Sequence, residues 1–162
     1  MVYIALGSNL GDSKALLDEA IEGLATLSTS KPIASSYWRT TPVDCPPGSP
    51  DFLNAVCALI PNPAETPESL LARLQSLEKQ FGRKPKKILN ESRPLDLDII
   101  AFGRETRSTP ELVIPHPRAH LRRFVLEPMC EIDPHFVLPG FQESIKQILE
   151  SLPPDPCMSR MT

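Results

Sequence analysis

The 162-residue chain is poor in aromatic side chains, with one Trp, two Tyr and six Phe. So small a supply leaves few rings for the stacked platforms on which single-stranded nucleic acids are read. There are three histidines, and the four cysteines (Cys45, Cys57, Cys130 and Cys157) show no C-x-x-C spacing, a combination that argues against a zinc site. Cys57 and Cys130 fall inside apolar runs and read as small buried hydrophobes. No apolar run approaches the roughly 20 residues of a membrane span. No signal-peptide pattern precedes the first strand-like run, so a reducing cytoplasm is the expected setting. Glycine is also scarce, at seven residues. The turn Gly7-Ser8-Asn9-Leu10-Gly11 lacks the lysine of a Walker loop and the three glycines of a dinucleotide loop.

Neither sign of charge dominates: 17 basic against 20 acidic side chains give a net charge of −3. A general attraction for nucleic acid or anionic membrane is therefore not expected. The basic residues are clustered, however, with Arg83, Lys84, Lys86, Lys87 and Arg93 in one stretch and Arg118, Arg122 and Arg123 in another. Local clusters on an acidic chain point to a small anionic ligand. The 19 prolines predict long, shaped loops. Length and an apolar fraction of 41% fit one domain, expected over 1–152, with 153–162 as a frayed tail.

Periodicity supplies the elements. Residues 2–6 form a short apolar strand. Leu16, Leu17, Ala20, Ile21, Leu24 and Leu27 mark one helix face, capped at Asp12 or Ser13. A strand is expected over 31–39, then a loop over 40–50, then an apolar and so central strand over 52–60. Thr66-Pro67 opens a second helix, with Leu70, Leu71, Leu74, Leu77 and Phe81 on its buried face and Gly82 at its end. Residues 95–102 alternate as a strand, and shorter helices are expected near 118–130 and 142–151. The order fits an α+β, ferredoxin-like sandwich. It would have a four-stranded antiparallel sheet, two helices packed on one face, the other face left free for ligand, and a C-terminal extension.

Within that frame, Arg93-Pro94-Leu95-Asp96-Leu97-Asp98-Ile99-Ile100 is the most informative segment. Strand residues two apart share a face, so Asp96 and Asp98 would project together while Leu95, Leu97 and Ile99 pack inward. Paired carboxylates suit Mg²⁺, which completes its shell with water and phosphate oxygens. A lone D-x-D is more often the acidic outer face of a strand, although Asp is disfavoured there. Pro115-His116-Pro117-Arg118-Ala119-His120-Leu121-Arg122-Arg123-Phe124 could grip phosphate or be a solvated basic turn. His120 and His135 read as structural. The segment 83–93 reads equally as a lid over polyphosphate or an exposed loop. Phe52 and Asn54, two apart, would offer an aromatic face and an amide on one side; a core Phe is the plainer reading of Phe52.

Taken together, these landmarks resemble the 6-hydroxymethyl-7,8-dihydropterin pyrophosphokinase family over nearly the whole chain. To those above are added Ser36-Tyr37-Trp38-Arg39-Thr40, Phe52-Leu53-Asn54-Ala55, Glu78…Gly82-Arg83 and Arg122-Arg123-Phe124-Val125-Leu126-Glu127-Pro128. The resemblance implies an ATP-dependent pyrophosphoryl transfer in folate synthesis, with AMP as leaving group. It implies two Mg²⁺ ions held by Asp96 and Asp98. Arg83, Arg93, His116 and Arg122 would contact the polyphosphate, with Arg83 and Arg93 counted with the two aspartates as catalytic. Gln75 and Ile99 would lie beside the nucleotide. The pterin would stack between Phe52 and Phe124 and bond to Asn54, with help from Thr40, Thr41, Pro42 and Val43. The chain departs from many relatives in having no aromatic residue just before Arg93, and from several in having Leu121 where they have an acidic one. The expected partners are these small molecules, without nucleic acid or membrane, acting on a monomer. A nucleic-acid-binding ferredoxin-like module is the alternative, and a nucleotidyltransferase a weaker one, since Gly7-Ser8 stands far from Asp96.

Overall fold

The computed structural model describes residues 1–8, 13–40, 51–81 and 95–161. Its elements, in chain order, are β1 (Val2–Ser8), α1 (Ser13–Ala25), β2 (Ile33–Ala34), β3 (Trp38–Thr40), β4 (Phe52–Leu59), α2 (Pro67–Gln80) and β5 (Asp96–Phe102). A two-residue ladder of β6 (Arg107–Ser108) and β7 (Val113–Ile114) follows, then a 3₁₀ turn at Ala119–Leu121, α3 (Arg123–Ile132), α4 (Ile145–Ser151) and β8 (Met158–Arg160).

The architecture is α+β, and every ladder is antiparallel. Among the described residues the main sheet has six strands rather than the expected four, in the order β5-β1-β4-β3-β8 with β2 also paired to β4. Two departures account for the difference. The strand expected over 31–39 is broken at Ser35, whose Oγ accepts the N–H of Val56 at 2.9 Å, so a side chain replaces one backbone rung. The tail from Pro153, expected to fray, returns as β8 and pairs with β3, Thr40 opposite Met158 and Trp38 opposite Arg160.

Both faces of the sheet are covered, which corrects the expectation of one free face. On one side Val2, Ile4, Leu6, Leu53, Cys57, Leu59, Leu97 and Ile99 pack on Leu17, Ala20 and Leu24 of α1 and on Leu70 and Leu74 of α2. Gly23 lets these helices approach, since a Cβ there would lie 3.0 Å from the Leu77 side chain. On the other side Tyr3, Val56, Ala58, Ile100 and Ala101 pack on Val125, Leu126 and Met129 of α3 and on Ile145 and Ile148 of α4. Ile100 and Ala101 can both face this layer because the β1–β5 register shifts by one between Tyr3 and Ile4, a bulge that adds a residue to β5. Helix α2 starts from a capping box at Thr66 with Pro67 in its first turn, and α4 from one at Ser144; each box satisfies amide groups that the first turn leaves unpaired.

Candidate active site

In an antiparallel ladder, directly opposed residues point to the same face, so the register maps the site. Asp96 stands opposite Gly7, Gly7 opposite Asn54, and Asn54 opposite Trp38. The next row inward runs Asp98, Ala5, Val56. Both rows face the α3/α4 side, because Val56 belongs to that core. Asp96 and Asp98 therefore project together, as their spacing predicts, while Leu95, Leu97 and Ile99 are buried among α1 and α2. Asp98 is exposed and Asp96 half-buried. At about 4.8 Å per strand, Asp96 and Asn54 are roughly 10 Å apart, with only the backbone of Gly7 between them.

Asn54 is 8% exposed. Its Nδ2 donates to Thr40 Oγ1 at 3.2 Å, while its Oδ1 lies toward Gly7, 3.3 Å from where a Cβ would sit. Thr40 thus fixes which end of the amide faces which strand. Phe52, opposite Thr40, shares this face and is 38% exposed; it is not a core Phe. Trp38 Nε1 and Ser36 Oγ both donate to the Glu131 carboxylate, each at 2.7 Å, and so tie β3 to α3.

The second wall comes from residues 115–124, which follow the cis Ile114–Pro115 bond. The His116 amide donates to Ile100 O at 2.9 Å, which holds the segment against β5. His116 Nδ1 accepts the Arg118 N–H at 3.1 Å, so the neutral ring carries its proton on Nε2 and can donate from there. Burial is the largest influence on this imidazole and lowers its pKa; Asp98 opposes that shift, and Arg122 and Arg118 add to it. The Arg122 guanidinium sits 5.6 Å from the centroid of the half-buried Phe124 ring, within cation–π range. Arg123 turns away, bonding Glu127 at 2.8 Å and reaching the carbonyls of Leu149 and Leu152 at the end of α4.

The fold thus gathers Asp96, Asp98, Asn54, Thr40 and Phe52 on one sheet face, with His116 beside Asp98 and Arg122 beside Phe124. Gln75 is exposed on α2. Ile99 is 4% exposed, so its side chain belongs to the α1/α2 core. Arg83, Arg93, Thr41, Pro42 and Val43 lie outside the described residues. Among the described residues no group of three or more His, Cys, Asp or Glu is placed to hold a metal ion. Two carboxylates on one strand face still fit Mg²⁺, which takes one or two protein carboxylates and fills the rest of its shell from water and phosphates. Glu78, which the sequence marks only as a landmark of the resemblance with no role attached, is 5% exposed, and its Oε2 accepts the Leu97 N–H at 2.9 Å. The signal was its place in the 70-74-78 stripe, where an apolar residue is expected.

Residues 3–134 match the model of the 7,8-dihydro-6-hydroxymethylpterin-pyrophosphokinase family. The chain belongs to this family. Among its relatives in the pyrophosphokinase family, the 2-amino-4-hydroxy-6-hydroxymethyldihydropteridine pyrophosphokinase of Haemophilus influenzae is 37% identical over 152 residues, 91% of this chain and 92% of that protein. The folic acid synthesis protein fol1 of Pneumocystis carinii is 38% identical over 158 residues, but this chain spans only 20% of its length. Among solved structures, an HPPK-DHPS from Plasmodium falciparum superposes with a TM-score of 0.72 at 14% identity, over 92% of this chain and 44% of that one. At that identity the likeness is one of fold.

Proposed function

We propose that the chain transfers the pyrophosphoryl group of ATP to the hydroxymethyl group of 6-hydroxymethyl-7,8-dihydropterin, releasing AMP, as a step in folate synthesis. Family membership and the pyrophosphokinase relatives support the reaction and ATP as co-substrate. The observation that carries the site assignment is the register, which sets Asp96 and Asp98 on one face and Asn54 two strands away across Gly7.

On this reading Asn54 pairs with the amide edge of the pterin, its orientation set by Thr40, and a ring without matching groups leaves it unsatisfied. Phe52 and Phe124 flank the ring by stacking. Arg122, drawn to ATP phosphates, leaves the Phe124 ring it covers. His116 donates from Nε2 to a phosphate oxygen and stays neutral near pH 7 because burial lowers its pKa. Arg83 and Arg93 grip the polyphosphate, Thr41, Pro42 and Val43 border the pterin, and Gln75 and the backbone of Ile99 meet the nucleotide. Asp96 and Asp98 are the residues that would hold two Mg²⁺ ions, which when bound neutralise charge on the phosphates and fix an in-line path. The pterin hydroxyl oxygen forms a bond to the β-phosphorus, the bond from that phosphorus to the AMP oxygen breaks, and the hydroxyl proton passes to water.

The same reading takes β5-β1-β4-β3 with α1 and α2 as a ferredoxin-like core, within a single catalytic domain that the sequence bounds at 1–152 and that β8 extends through its pairing with β3. It also takes the protein as a cytoplasmic monomer without a nucleic-acid partner. Cover of the sheet by α3 and α4 argues against the nucleic-acid alternative, which needs an open face. No described helix is long and apolar enough to cross a membrane.

The direct test mixes the protein with ATP, Mg²⁺ and hydroxymethyl-dihydropterin and follows AMP. Asp96→Ala and Asp98→Ala should each lower turnover by about 100-fold or more with an unchanged circular dichroism spectrum. Near-normal turnover in both would remove the metal assignment.

A further inference from the structure

Helix α2 buries one stripe, at Pro67, Leu70, Leu74 and Glu78. Three members are apolar, of which Leu70 and Leu74 pack on the sheet; the fourth is a carboxyl group at the same depth. A Glu is almost never buried without partners, and one partner here is the backbone N–H of Leu97, 2.9 Å from Oε2, in a bond that is itself buried. Leu97 lies between Asp96 and Asp98. Their strand ends the sheet, with β1 on its inner side, so its outer backbone groups must be satisfied by something other than a ladder. Glu78 does this between the two aspartates. His116 does it just beyond them, by donating its amide to Ile100 O at 2.9 Å.

We infer that Glu78 is a positioning residue for the metal-binding strand: by holding the Leu97 amide, it fixes the angle at which Asp96 and Asp98 leave the sheet. The inference rests on the reading of those aspartates as Mg²⁺ ligands and extends it to the residue that orients them. Groups that orient metal ligands affect metal affinity by about 10–100-fold. The bond to Leu97 depends on the reach of the side chain. Gln at position 78 keeps an oxygen at the same distance, whereas Asp keeps the carboxyl group but is one methylene too short to meet the amide from the helix backbone.

The test compares Glu78→Gln, Glu78→Asp and Glu78→Leu by three measurements: hydrogen exchange of the Leu97 amide in the metal-free protein, calorimetric titration of Mg²⁺ with a non-hydrolysable ATP analogue, and steady-state kinetics. In the Asp and Leu variants the Leu97 amide should exchange faster. The Mg²⁺ needed for half-saturation should rise about tenfold or more, and kcat should fall while KM for the pterin holds. The Gln variant should stay within about threefold of the parent in each. Should the Leu variant fail to fold, the Gln–Asp pair decides alone. An Asp variant that matches the Gln variant in Mg²⁺ requirement and kcat overturns the inference, as does a Gln variant as impaired as the Asp one. Loss of melting temperature without a change in Mg²⁺ requirement would likewise reduce Glu78 to a packing role and overturn it. Leu97 exchange reads the clamp without metal or substrate, whereas Asp98→Ala reads the metal assignment, so the two can fail separately.

Discussion

Between Asp96 and Asn54 the sheet offers only the backbone of Gly7, and one added carbon there has a definite cost. An alanine Cβ would stand 3.3 Å from Asn54 Oδ1, with the backbone outside the left-handed region and so undisturbed. Asn54 can yield only by stretching its bond to Thr40. Gly7→Ala should therefore raise KM for the pterin about fivefold or more, equivalent to about 1 kcal/mol, with KM for ATP and the melting curve little changed. Initial rates with each substrate varied in turn would decide; equal effects on both KM values would mean that Gly7 does not border the pterin. His116 carries a second prediction at this scale. Burial holds its pKa below the unfolded value of 6.5, so as the pH falls through 6.5 the unfolded chain takes up a proton first and stability declines. Urea denaturation of the metal-free protein at pH 7.5 and pH 5 should show this loss, and His116→Gln should make it smaller. Among single residues, the aspartate pair was legible because alternation along a strand is a strict code. The role of Glu78 was not, because the helix face was read from its apolar members alone and Glu78 stood only as a landmark of the resemblance. Nor was the turning of Arg123 to the end of α4 while Arg122 faces Phe124, since adjacent residues of like charge carry no mark of direction.

The long periodic elements were read nearly to their ends: β1, α1, β4, α2 and β5 each rest on several residues of one period. What the sequence concealed were places where a side chain or an extra residue substitutes for the regular pattern. The expected strand over 31–39 breaks because Ser35 Oγ takes the Val56 amide, while the Ser35 amide bonds to Val56 O. Val56 is fully buried in the central part of the sheet, so its N–H has no access to water if the hydroxyl is lost. Ser35→Ala should destabilise the protein by about 1–3 kcal/mol, measured by chemical denaturation. An unchanged midpoint would mean that β2 and β3 had joined into one regular strand and restored the missing rung. The bulge at Ile100 is hidden for a related reason: four apolar residues in succession, Ile99 to Phe102, give no parity from which to read a slipped register. Cys57 needed no structure. It lies in a run apolar on both faces, it is buried, and burial pushes its thiol pKa up to about 12, as suits a packing residue.

At the scale of the whole molecule, the sequence misled where pieces distant in the chain meet. Short helices near the C-terminal end looked like an appendage, yet α3 and α4 form the second layer and cover the sheet face that α1 and α2 leave. The apolar contacts of that layer take in Ala5 and Val56 but not Asp96, Gly7 or Asn54, the row where the proposed site lies. The last segment was misread for the same reason, since three residues of mixed polarity carry no strand signal until β3 offers an edge. Met158–Arg160 pairs with all three residues of β3, the Met161 amide donates to Tyr37 O at 2.8 Å, and the Met161 side chain packs against the α1/α2 core. A chain ending at Leu152 loses all of this and exposes the edge of β3. Because β3 carries Thr40, and Thr40 orients Asn54, the damage should extend from stability to recognition. The shortened protein should melt a few degrees lower, at about 2–4 °C per kcal/mol lost for a chain of this size. Its KM for the pterin should rise several-fold, while KM for ATP, none of whose proposed contacts lies on β3, should stay near that of the full chain. Equal melting temperatures and equal pterin KM in the two forms would show that β8 only rests on the sheet and that the strand bearing Thr40 is held in place by β4 and α3 alone.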